Sequence, residues 1–548
     1  VGYNYAGSSI TNSYAIGTVT STGDAAGGLI GSYTSGALTS NYWLKTTTHN
    51  STLQDIGDQG DVAGISSKND TEMKQQSTFV GWDFTTTPVW DMPADSYPHL
   101  HWEGYVPSVS SITISGSFYV NGMKYSGSAL TFYLYGNGSK IGEATTSNGD
   151  SIFSNMTVSA DEALLLFVYG SDTYNANLIS VTKDASSNIS GWNFYNNGIV
   201  LQHERTTAID NSVLSSAWVN SASDVFYSVS GSNATFNSGY EVYIPTGMTY
   251  APGGTVALDS IRILGTLNAA SNAVNVHGNW DASSGTVTTT GTITFDGVGT
   301  QTVNSGSSSF KNVEHSGAGT LQVTGNPMNV TGTLVNSAGT FDANTKQVTV
   351  AGTTTVSAGN YSASTAAQTF NGGLTISNTG TFTASSGAVA ASSLSVTGGY
   401  FNASIGSVDV SGDMNLSGGT FTASSGTVTS NNMNLSGGTF NSSIGAVNVN
   451  GTMSVASGIF TASSGTVTTG GLNVSGGTFN GSTGILDVNG NVNITSGSLN
   501  APSTEMKVSG SWRRTSGIFS AGTGTVNFDG SSTQTLDTGS SDFKYIIH

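Results

Sequence analysis

The sequence predicts an all-β chain whose larger part is a parallel β-solenoid, a β-helix of about 20 residues per coil. Three observations predict it. An apolar residue recurs after Gly-Thr, Gly-Asn, Gly-Ile or an equivalent pair at Phe341, Tyr361, Phe382, Phe401, Phe421, Phe440, Phe460, Phe479, Leu499 and Phe519, at intervals of 20, 21, 19, 20, 19, 20, 19, 20 and 20 residues. Each period then divides into three short alternating pieces. In 419–438 these are TFTA, TVTS and MNLSG, separated by SSG and by Asn431-Asn432, with Phe421, Val428, Met433 and Leu435 sharing one side. Finally, 73 of 548 residues are Gly, 8 are Pro and 8% are charged. Strands of three to five residues bury little alone, but coil stacked on coil puts Phe on Phe and Val on Val, about 4.8 Å apart. Tight corners then call for Gly, Ser and Asn. Pro is excluded by the ladder's need for N–H donors, and charge by repulsion between stacked like positions.

The first segment, 1–104, has a different texture. It holds NSYAIGTVT (12–20), AGGLIGSYTSGALTSNYW (26–43) and the Trp-rich FVGWDFTTTPVWDMPADSYPHLHWEG (79–104). The GGLIGS core resembles the GLUG-type repeats of large bacterial surface and secreted adhesins. The GWDF…VW…SYPHL tail looks like the segment that follows the last such repeat. That resemblance implies a GLUG-like, β-solenoid-like repeat in an extracellular setting and no particular chemistry. Trp82, Trp90, Tyr97 and Trp102 are read as an aromatic cap closing its end.

Residues 105–200 read as a small β-sandwich. ITISGSFYVNG, ALTFYLYGNGSKIGEATTS and ALLLFVYGSDTY pair around Asn-Gly and Gly-Asn-Gly turns, strong hairpin signals. They are similar to the immunoglobulin-like or transthyretin-like modules used as spacers in surface proteins. The solenoid then takes 201–548, with its most regular part at 335–525 and a transition without repeat at 201–225. Residues 293–315 (ITFDGVGTQTVNSGSSSFKNVEH) align without gaps to 526–548 (VNFDGSSTQTLDTGSSDFKYIIH), and this unit resembles the TFDGxGTQT units of very large bacterial surface proteins. In the first copy the chain runs on past His315, so the natural protein is expected to continue beyond His548.

Composition narrows the function. Disorder is argued against by 22 Phe and 21 Tyr at set intervals. With 32 acidic against 14 basic residues, a net charge of −18 and no Lys/Arg cluster, nucleic acid is not an expected partner. No apolar run reaches the roughly 18–20 residues that span a bilayer, so no membrane span is expected. The absence of Cys removes disulfides and thiol nucleophiles.

Candidate chemistry is sparse. A carbohydrate-active β-helix needs convergent carboxylates, but the acids of the regular coils are Asp342, Asp409, Asp413, Asp487 and Glu505, spread over distant coils and read as solvated surface. His99 and His101 would share one side of a strand near Asp91, Asp95 and Glu103, a set able to ligate a metal, although an aromatic cap explains the region without one. His203, Glu204 and Arg205 alternate across a strand and are read as surface. His315 and His548 recur with the duplicated unit, which suits a structural place. Thr pairs at Thr381/Thr383, Thr420/Thr422, Thr427/Thr429 and Thr466/Thr468 could form an ice-binding row, yet Thr is also the favoured exposed β residue, and Asn402 and Asn441 interrupt it. No nucleophile elbow, Walker loop, HExxH or Ca²⁺ nonapeptide is present.

The expectation is therefore a non-enzymatic extracellular or cell-surface protein, secreted and bacterial, built as an adhesin-like or filament-forming stiff rod. No catalytic, cofactor-binding or metal residues are assigned and no cofactor is expected. Partners would be further copies of itself or a surface polysaccharide. The alternatives are a β-helix lyase or glycosidase, or an ice-binding protein.

Overall fold

The computed structural model describes all residues except 1, 6, 22–24, 49, 86–88, 94–95, 104–110, 169–173 and 220–225. The chain divides into two compact units, Val1–Ser110 and Ser111–His548.

In the second unit the apolar period becomes a column. Phe401 pairs in parallel register with Phe421, and Phe421 with Phe440. Their ring centroids lie 4.6 and 4.8 Å apart, with planes within 10° and 4°. The stack runs unbroken from Phe341 to Phe479 at 4.6–5.0 Å per step, and each of these rings is wholly buried. A spacing this close to the ladder repeat means that backbone hydrogen bonding and ring stacking are satisfied together.

Each coil contributes three strands, as at Thr420–Thr422, Val428–Ser430 and Met433–Leu435. The first belongs to the Phe ladder, a sheet of 20 strands among the described residues. The other two belong to a sheet of 27 strands among the described residues, because in Val447–Val455 and Val467–Val474 they run on as one bent strand. Alternation is strict: Val428, Met433 and Leu435 point inward and are buried, while Thr429 and Asn434 lie on the outer face. One corner admits no side chain. A Cβ on Gly426 would lie 2.1 Å from the carbonyl oxygen of Gly406, and one on Gly445 or Gly465 would lie 2.2 Å from the glycine one coil before. The glycine column thus reflects close approach of successive coils rather than left-handed backbone.

The Phe ladder extends upstream through Thr320–Val323, Thr300–Asn304, Trp280–Asp281 and Ser260–Ile263 to Glu241–Ile244, all parallel. It continues into Gly198–Leu201 and then Ala176–Val181, so strands read from sequence as a separate sandwich belong to the solenoid's own sheet. Ala163–Val168 and Ala176–Val181 are buried on both faces. Leu165, Phe167, Ile179 and Val181 join the solenoid core, whereas Leu164, Leu166, Val168 and Leu178 form a second core with Ile114, Phe118, Trp192 and Phe194. This double-faced sheet is a lid on the first coil. Behind it, Ile112–Val120 pairs with Asp150–Met156 and Ile189–Tyr195. The expected turns form: Asn121-Gly122 (φ 52° and 79°) and Asn137-Gly138 (φ 44° and 79°) link antiparallel strands.

The transition segment holds a short helix, Asn211–Ala217, whose N-terminus Asp210 caps by accepting from the N–H groups of Ser212 and Val213. Val213, Leu214 and Ala217 enter the solenoid core beside the lid.

The duplicated unit is used twice in the same way but on different walls. Ile293 pairs with Val313, and correspondingly Val526 with Ile546. Gln301 Nε2 donates to the carbonyls of Val276 and Gly278 (2.9 and 2.8 Å), and Gln534 Nε2 to those of Val508 and Gly510 (2.8 and 2.7 Å). Yet Thr300–Asn304 lies in the Phe ladder, while its counterpart Leu536–Asp537 lies in the other sheet.

In residues 2–68 of the first unit the strands pair in parallel 24 to 29 residues apart, from Tyr3↔Ser32 and Tyr14↔Tyr42 to Asn41↔Ile65, whereas Trp90–Asp91 and His99–Leu100 pair antiparallel. Trp43 is wholly buried and donates Nε1–H to Asp55 Oδ1 at 2.6 Å. Tyr14, Tyr42, Phe79, Trp82, Phe84 and Trp90 form an aromatic cluster, with Trp82 and Trp90 centroids 4.2 Å apart and Tyr97 packed against it. Trp102, expected in that cap, is instead 77% exposed.

Candidate functional site

The acids of the regular coils are spread along the surface and engaged locally. Asp409 accepts from Ser407 Oγ at 2.9 Å, Asp413 from Asn432 Nδ2 at 2.9 Å, Asp342 from Gln322 Nε2 at 2.9 Å, and Glu505 from Asn527 Nδ2 at 2.9 Å. Asp487 is raised above the usual carboxylate range, by partial burial first and then by Asp529, with Lys507 opposing. Asp409 lines a shallow concavity of about 290 Å³ at the bend between the second and third strands, with Asn371, Ser392, Ser411, Thr429 and Asn450. It can hold water or a polar group, and its other lining groups are amides, hydroxyls and aliphatic carbons.

The histidines of the first unit do not face one ligand. His99 lies in a strand opposite Asp91, but His101 begins a 3₁₀ turn, so the shared strand face is lost. His101 Nδ1 lies 3.0 Å from each Asp91 carboxylate oxygen, and His99 Nε2 lies 3.1 Å from Ser96 Oγ. Asp95 falls outside the described residues. Among the described residues no group of three or more His, Asp or Glu is placed to hold a metal ion.

His203, Glu204 and Arg205 are not a free surface run. His203 Nδ1–H donates to the Arg205 carbonyl (2.6 Å) and its Nε2 accepts from the Thr249 N–H (2.9 Å). Glu204 accepts from Trp192 Nε1 at 2.8 Å, and Arg205 pairs with Asp161 at 2.6 Å. Together they sew the lid to the first coils. His315 is fully buried, its Nδ1–H donating to Asn336 Oδ1 at 2.7 Å, and burial pushes its imidazole below the usual value. His548, its counterpart, is exposed.

The outward rows of the Phe ladder are mixed. One reads Thr381, Tyr400, Thr420, Thr439, Ile459, Thr478, Ser498, Ile518; the other Thr383, Asn402, Thr422, Asn441, Thr461, Asn480, Asn500, Ser520. Tyr400 and Ile518 stand 55% and 58% exposed, so the Thr pairs are broken by protruding side chains. Asparagines instead build surface ladders, with Nδ2 of Asn434, Asn493 and Asn500 donating to Oδ1 of Asn415, Asn473 and Asn480 at 2.8–2.9 Å.

A row that the sequence pattern does not reveal lies at the seam of lid and solenoid. Tyr119 and Tyr195 sit side by side on paired strands, centroids 5.6 Å apart, and Tyr195 stacks on Tyr243 at 4.7 Å and 24°. The Arg262 guanidinium carbon lies 5.6 Å from the Tyr243 ring centre, and its Nε is 3.4 Å from Glu241. Gly198 makes the stacking possible, since a Cβ there would press on both Tyr195 and Tyr243 at 3.2 Å. The only signal in the sequence was a Tyr closing or crossing each strand (FYVNG, NFYNNG, EVYI), at unrelated spacings. Among the described residues no helix is long and apolar enough to cross a membrane. Set against known proteins, the chain matches no family model, no curated protein and no solved structure.

Proposed function

We propose that this chain is a non-enzymatic structural rod of the cell surface or extracellular space, adhesin-like, whose coils supply reach and stiffness. The observation that supports this reading is the single hydrophobic core running without interruption from the lid strands at Ala163 to Phe528. Such a core, ringed by backbone ladders, resists bending and proteolysis, because opening any coil breaks pairings on both sides. The acidic, Thr- and Asn-rich exterior keeps it soluble and asks for no cofactor.

Immuno-electron microscopy of producing cells tests it: gold label on spikes or fibres outside the envelope is expected. Label confined to the cell interior, or hydrolysis or elimination products from a polysaccharide panel, would overturn it. Thermal hysteresis of ice growth would turn the reading to the Thr pairs instead.

A further inference from the structure

We propose that the row Tyr119, Tyr195, Tyr243 and Arg262, with the two clefts beside it, binds a neutral polysaccharide of pyranose rings. One cleft, of about 410 Å³, is lined by the three tyrosines with Asn121, Arg262 and Leu264. The other, of about 330 Å³, is lined by Asn197, Glu241, Asp259 and Asn279. Asn196 and Tyr243 line both, so the two adjoin.

The chemistry selects the ligand. A pyranose ring presents an apolar C–H face and a rim of hydroxyls. Half-buried aromatic rings offer the matching apolar surface at low entropic cost, because their stacking already fixes them. Amide and carboxylate side chains around the row supply acceptors and donors for the rim. Burial raises the phenols of Tyr195 and Tyr243, and the bond between the Tyr243 hydroxyl and Glu241 raises the latter further, so both rings stay uncharged. The charge argues for neutrality: Glu241 and Asp281 act on Arg262, which is already paired with Glu241, and Asp259 adds a carboxylate to the second cleft, whose lining holds no cation. An anionic glycan would be repelled. The row is also local, since beyond Arg262 the outward aromatic residues of this sheet reduce to Tyr400 among those described.

The site deepens the rod reading by giving the rod a contact, and its test separates the two. The full chain is run by affinity electrophoresis through gels holding mixed-linkage β-glucan, xylan or galactomannan, with polygalacturonate as the anionic arm and a proline-rich peptide in solution as the protein arm. Retardation by at least one neutral polysaccharide is expected, weakened tenfold or more by Tyr195→Ala or Tyr243→Ala and kept by Tyr195→Phe. Should the alanine variants lose melting temperature, Arg262→Met and Glu241→Gln give the same reading at the cleft wall, with at least threefold weakening expected. No retardation by any neutral polysaccharide overturns the proposal. So does binding by polygalacturonate or the peptide alone, or binding that none of these variants changes. If binding is absent while the circular dichroism of the chain stays that of a folded β protein, the site falls and the rod stands; if the chain is unfolded, the rod reading falls with it.

Discussion

Phe421 shows what one residue contributes to a stack. Its ring has a neighbour on each side at 4.6 and 4.8 Å and no solvent contact. Removing it in Phe421→Ala leaves a gap that neither neighbour can fill, since both are held by their own coils, and about 3–5 kcal/mol of stability should be lost. Phe421→Leu should cost less, about 1–2 kcal/mol, because the column itself accepts Leu at position 499, paired beneath Phe519. Urea unfolding of both variants checks the order; equal losses would mean that ring stacking, not volume, sets the energy. His315 gives a pH dependence. Its folded-state pKa lies below the ordinary imidazole value of 6.5 because burial outweighs the bond to Asn336. As pH falls through about 6.5 the unfolded chain takes up a proton that the folded chain refuses, so stability is full above that pH and declines below it. The melting temperature should drop more between pH 7.5 and 5 for the natural chain than for His315→Gln.

At the scale of an element, the coil is the unit of exchange. Thr420 pairs directly with Thr439 and Phe421 with Phe440, so deleting residues 420–438 removes one coil and brings an equivalent strand into the vacant register. The shortened chain should keep its β-sheet circular dichroism and protease resistance. Deleting only 420–428 moves strands to the wrong wall and should yield a protease-sensitive product. This element was legible because stacking demands the same residue type at the same place each time, which turns three-dimensional contact into periodicity. Phe401, Phe421 and Phe440 announced their column for that reason. The lid obeys no such rule. Ala163–Val168 and Ala176–Val181 each occur once, and hairpin turns nearby favoured a free-standing sandwich; the unbroken apolar run ALLLFV, polar on neither face, was the sign that both sides are covered. The Tyr119–Tyr195–Tyr243 row was hidden more deeply, since it is assembled from two layers and a coil at unrelated intervals. His203 and Glu204 read as surface for the same cause: their partners Thr249 and Trp192 belong to different elements.

At the scale of the second unit, one end of the stack is closed from within. The lid strands and the helix Asn211–Ala217 cover the first coil, and their side chains Leu165, Phe167, Ile179 and Leu214 are part of its core. Removing residues 111–197 would take away Leu165, Phe167 and Ile179, bare the core side chains they cover, Leu214 among them, and leave the parallel edge of Gly198–Leu201 unpaired, an invitation to edge-to-edge association. Light scattering should show aggregates of the truncated chain at concentrations where the full chain stays dispersed; a monodisperse truncated chain would mean that the lid is dispensable.

The shift of the duplicated segment from one wall to the next carries a consequence for how such a molecule diversifies. Because every wall offers the same hydrogen-bonding track, a copied stretch of chain can be laid down at a new azimuth with its internal latch intact. Its outward groups then look toward a different quarter of the surroundings, even where the copy is letter for letter the same. Copying alone can thus re-aim a surface, before any substitution alters it.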